Sequence, residues 1–113
     1  MAADERRRRF AENEALYRSV NEQIEAVSRE FASTTDQTLG ILCECGQLDC
    51  AAQIELSVGT YERVRADPTL FVVVPGHDNP LVEVVVEEQA GFTIVCKDAP
   101  PGREVAQETD PRS

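Results

Sequence analysis

The segment CECGQLDC at 43–50 puts three of the chain's four cysteines inside eight positions, and no other feature constrains the fold as tightly. Cys43 and Cys45 are two apart, so on extended backbone both thiols leave from the same face. Gly46 then supplies a residue able to adopt φ > 0 and turn the chain around whatever the thiols hold. The turn also aims main-chain N–H groups at sulfur. Cys50 follows four residues later and closes the loop as a third donor. A disulfide between Cys43 and Cys45 would close a very small ring of unfavourable geometry, so a metal ion explains the crowding better.

A structural zinc ion takes four Cys or His donors, and the chain has one histidine. His77 lies in VVVPGHDNP, where Pro75 and Gly76 fix the backbone at the exit of a very apolar segment. Cys43, Cys45, Cys50 and His77 are therefore the candidate metal ligands, and Cys96, in FTIVCK, is the rival fourth donor. The cofactor expected is Zn2+. The same four residues could carry a [2Fe–2S] cluster, because mixed Cys/His ligation of such clusters exists, or they could act as a redox sensor. Against thiol reactivity, no basic residue stands inside the knuckle, while Glu44 and Asp49 would hold its thiols protonated.

Ahead of the knuckle, residues 5–32 read as one long helix. Phe10, Tyr17, Val20, Ile24, Val27 and Phe31 recur at heptad-like spacing, with Asn13 at the missing position. No Gly or Pro occurs before residue 40. Such a narrow stripe suits a seam, formed either with the chain's own sheet or with a protein partner or second copy in a homodimer. Beyond a polar break at 32–38, strands are expected over LGILCEC, AQIELS (52–57), TLFVVV (69–74), LVEVVVEE (81–88) and FTIVCK (92–97). A short helix at 58–66, capped by Ser57, is inserted among them. The fold class is α+β: a long amino-terminal helix, then a small, mainly antiparallel sheet with one inserted helix and a Cys/His knuckle. The organisation expected is a helix at 1–33, a knuckle-bearing α+β domain at 34–98 and a disordered Pro-rich tail at 99–113.

Charge narrows the function. Residues 34–98 carry 11 acids and 3 bases, which accounts for −8 of the net −10. A surface that acidic repels phosphate backbones, so nucleic-acid binding by the central domain is disfavoured. Arg6 to Arg9 form the one basic run and read as a solvated helix face. No segment is apolar for long enough to span a bilayer, and the first residues lack the pattern of a secretory signal, so the cytoplasm is the compartment expected. An enzyme is not expected, because four protein donors leave a metal no open position and no phosphate loop or nucleophile motif is present.

ILCECGQLDC, IELSVGTYERVRADPTLFVVVPGH and the following VEVVVE resemble a family of short proteins of actinobacterial type. Its order is C-E-C-G, C, I-E-L, Y-E-x-V-R, a proline, F-x-V and P-G-H, after a helix containing N-E. The likeness spans roughly residues 10–97 and includes NEQI at 21–24. It implies that Cys43, Cys45, Cys50 and His77 act as one set, and it brings no activity or partner with it. Cys96 departs from the pattern, which has an acidic residue before the lysine.

Overall fold

The computed structural model describes residues 2–31, 37–47, 49–97 and 102–112, apart from the side chains of 2–4 and 29–31. Residues 32–36 of the break expected at 32–38, the packing of Phe31 and residues 98–101 lie outside that description. Helix α1 (Ala2–Phe31) leads into β1 (Thr38–Leu42), β2 (Gln53–Ser57), α2 (Val58–Arg65), β3 (Leu70–Val73), β4 (Glu83–Glu88), β5 (Thr93–Lys97) and α3 (Gly102–Glu108). The α+β architecture is the one the sequence implies.

The strands divide between two small antiparallel sheets, β1-β2 and β3-β5-β4. In β1 and β2 the alternation reads directly as burial: Leu39 and Ile41 are buried opposite Leu56 and Ile54, and Gly40 faces Glu55 outside. Ser57 caps α2 by accepting from the Thr60 N–H at 3.1 Å. The Asp67 side chain accepts from the Thr69 N–H at 2.9 Å, which turns the chain through Pro68 into β3. That strand is continuously apolar because it is covered on both faces. The sheets meet where the Glu44 N–H donates to the Val72 carbonyl at 2.9 Å. Ile41, Ile54, Tyr61, Val64, Phe71 and Val95 belong to the single main core, which also contains Cys43 and Cys45.

Of the two seams open to the heptad stripe on α1, the chain's own fold takes only the border: Val20 and Val27 are exposed, while Ala11, Glu14, Ala15, Arg18, Asn21 and Glu25 are buried. At about 100° per residue, the buried centre is rotated roughly a third of a turn from the apolar one. Phe10, Tyr17 and Ile24 end up half-buried along its border. The helix is held by polar contacts that a hydrophobic pattern cannot register. Arg18 donates to the carbonyls of Pro68 at 2.5 Å and Ala106 at 2.8 Å, with its guanidinium 4.7 Å from the Phe71 ring centroid.

One expectation is corrected, the disordered tail at 99–113, over its described residues 102–112. Residues 102–108 form α3, whose Val105 packs with Ala11 and Ala15 of α1 while Ala106 joins the main core. Arg112, just beyond, pairs with Glu22 at 2.8 Å and Glu62 at 2.5 Å. Two small apolar residues fit between helices that approach closely, and their weak periodicity conceals the helix.

Candidate metal centre

The knuckle begins where β1 stops pairing in full. The Cys43 N–H still reaches the Ala52 carbonyl at 2.9 Å, and then the chain crosses to the second sheet through Glu44. Gly46 has φ 80°, the left-handed turn expected of it. A Cβ there would lie 2.8 Å from Glu14 Cγ and 3.1 Å from both the Phe10 ring and its carbonyl oxygen. Glycine is thus required twice at this position, for the turn and for the approach of α1. The Cys50 N–H closes a turn on the Gln47 carbonyl at 3.1 Å.

On the facing side, the His77 N–H closes a turn on the Val74 carbonyl at 2.9 Å, and Gly76 has φ 89°. This presents Nδ1 of the imidazole 3.6 Å from Sγ of Cys43 and 3.6 Å from Sγ of Cys50. One donor atom from each of Cys43, Cys45, Cys50 and His77 lies within 4.8 Å of all the others. A tetrahedral ion with Zn–S near 2.3 Å and Zn–N near 2.0–2.1 Å sets an S···N separation of about 3.6 Å. The residues therefore fit a single four-coordinate ion, and the group could bind a metal. All four cysteines are free thiols.

Electrostatics point the same way. Burial pushes the Cys43 thiol well up, against the Val74 N–H that donates to its sulfur at 3.2 Å, and the nearby Cys45 adds to the rise. Cys45 is also raised by burial, against a hydrogen bond from the Gln47 amide. Crowded thiols in an apolar wall resist becoming anions together, and a cation among them reverses that preference. Cys96 stands apart on β5, within 3.4 Å of the Thr69 hydroxyl, outside the four-residue group.

Glu44 is the functional residue that reasoning from sequence misses. Its charge next to two cysteines suggests a group that disfavours thiolates, yet its side chain leaves from the face opposite Cys43 and Cys45 and is fully buried. Its two oxygens take the Arg65 guanidinium at 2.9 and 3.1 Å. They also accept from Asn21 Nδ2 at 2.8 Å and from the Val72 N–H at 3.0 Å. Asn21 in turn brackets β1, donating to the Leu42 carbonyl and accepting from the Leu42 N–H, both at 2.8 Å. The available signal is strand alternation itself: if 43 and 45 point to the metal, 44 points into the protein.

Beside the knuckle runs an open groove of about 550 Å³, lined by Gln47, Asp49, Cys50, Ala51, His77 and Asp78 among others. Cys43 and Cys45 are buried beneath it, while Cys50 is half-buried and His77 exposed. No helix among the described residues is long and apolar enough to cross a membrane. Comparison with known proteins returns no match to any family model, any curated protein or any solved structure.

Proposed function

We propose that the chain is a small zinc protein in which Cys43, Cys45, Cys50 and His77 hold a structural Zn2+. In this reading the folded unit works in a reducing, cytoplasmic setting as a protein–protein interaction or regulatory module. The observation that carries it is the convergence of four donors within 4.8 Å of one another. A [2Fe–2S] cluster divides its protein ligands between two irons, so convergence on one point favours a single ion. Bound there, zinc would supply a cross-link between the knuckle and the turn after β3. The protein's own contribution is to set the donors in place: Glu44 and Asn21 fix the strand, and Gly46 lets α1 close over it. Leu16, Val20 and Val27, exposed along the outer side of α1, support docking of a protein partner or a second copy there.

Native mass spectrometry of the full chain reads metal and oligomer together. One zinc per chain is expected, and Cys45→Ser should lose the metal and much of the stability. Folded, metal-free protein would sink the proposal. Visible absorbance after anaerobic purification would replace zinc with the iron–sulfur alternative. A monomer at all concentrations would remove the second copy as the occupant of α1.

A further inference from the structure

The three thiols of the set are not equivalent. Cys43 and Cys45 are each 1% exposed, and each receives a main-chain N–H, from Val74 and Gln47 respectively. A hydrogen bond to a thiolate draws charge from sulfur and blunts its nucleophilicity. Cys50 is half-buried and lines the groove, with the His77 imidazole 3.6 Å from its sulfur. Metal binding keeps all three sulfurs deprotonated without any neighbouring base. Three thiolates and one imidazole on a divalent cation leave a net negative centre, and Cys50 is the sulfur of the set that solvent and the groove reach.

We infer that Cys50, while on the metal, is the reactive thiolate of the set, and that it captures small, uncharged or cationic soft electrophiles entering the groove beside it. This rests on the zinc reading. In the reaction the Cys50 sulfur lone pair forms an S–C bond to the electrophilic carbon. The bond from that carbon to its leaving group breaks, and the leaving group departs with the electron pair. The product is a neutral thioether, a poorer zinc ligand than a thiolate, so capture weakens the metal site. Asp49 and Asp78 line the same groove and set the charge preference, since carboxylates around the entrance repel anionic reagents. A weakened site is read out in the fold, because the segment carrying Cys43 and Cys45 also carries Glu44 and Gly46, on which α1 rests.

The test uses the full, zinc-loaded chain carrying Cys96→Ser, which removes the thiol outside the set. It is treated with iodoacetamide or iodoacetate, with peptide mapping of the adducts and zinc release followed by a chromogenic chelator. The first adduct is expected on Cys50, at least about tenfold faster than on Cys43 or Cys45, with zinc released in step. Iodoacetamide should outpace iodoacetate by more than it does with a free thiol such as glutathione. A first adduct on Cys43 or Cys45, equal labelling of all three, or labelling only after the metal has left would overturn the inference. A chain that holds no zinc fails the metal reading before any reagent is added, so the two failures are separable.

Discussion

Two buried ion clusters lie under the same helix and are built to different stoichiometries. At the knuckle, Glu44 meets Arg65 one to one, and Asn21 and the Val72 N–H complete its hydrogen bonds. Toward the amino end of α1, Lys97 serves two carboxylates. Its ammonium is 2.5 Å from Glu14 Oε2 and also contacts Glu83 Oε1 directly, and Glu14 Oε1 has no hydrogen-bond partner among the described residues. The rings of Phe10 and Phe71 wall this second cluster at 5.7 and 5.6 Å from the ammonium. One carboxylate on one guanidinium leaves no charge uncompensated. Two acids on one base leave one over, and burial pushes the Glu14 carboxyl up to about 8, against the pull of Lys97. The first cluster is a fixed anchor, whereas the second holds a proton.

The anchor should be the costlier of the two to break. Glu44→Ala leaves Arg65 buried without its counter-ion and strips the Val72 N–H and Asn21 of an acceptor, a loss of about 3–5 kcal/mol. Set against a total of about 5–15 kcal/mol for a domain, much of the chain should unfold, and zinc affinity should fall with it. Urea denaturation of the zinc-loaded protein measures the change. Combining Glu44→Gln with Arg65→Met should cost less than Glu44→Gln alone, because the double variant leaves no unpaired guanidinium. A double variant as damaged as the single one would mean that the role of Glu44 is not ionic.

Gly46 lies between the two clusters, since it turns the knuckle and a Cβ there would run into both Glu14 and Phe10. Gly46→Ala forces a Cβ into the left-handed region and against α1, at about 2–3 kcal/mol together. Gly76 has a similar φ, but a Cβ there would meet no atom within 4 Å, so Gly76→Ala should cost only the backbone share, about 1–2 kcal/mol. Thermal unfolding of the two variants side by side isolates the helix contact. Equal losses would show that α1 yields freely at this point.

How far these features can be read from the sequence follows from their physics. Strand alternation, the Ser57 cap and the turn at Gly46 depend on local geometry, and the structure has them where the residues imply. The proximity of Cys43, Cys45, Cys50 and His77 is legible because thiols so crowded call for a common partner. The seating of α1 is not legible. Its apolar residues announce one face, while Glu14, Arg18, Asn21 and Glu25 bury another, and a polar residue looks the same in sequence whether it meets water or a buried partner. Helix α3 is hidden for a related reason: Val105 and Ala106 offer too little apolar surface to outweigh the prolines before them.

An effect no larger than that of Gly76→Ala is the most diagnostic of the contrast. In the folded chain Glu14 keeps its proton to about pH 8, whereas in the unfolded chain it releases it near its ordinary 4.5. Between those values the folded state holds the additional proton, so stability is greatest below about 4.5, falls as pH rises toward 8, and levels off above. Glu14→Gln, which is neutral throughout, should remove this slope. It should match the parent near pH 4.5 and exceed it by about 1–2 kcal/mol near pH 6. Protonation of metal-bound thiolates at low pH produces the opposite slope, and it cancels when both proteins are compared loaded with zinc. Parallel stability curves for the two would mean that Glu14 is ionised in the folded chain, and the distinction between the two clusters would collapse.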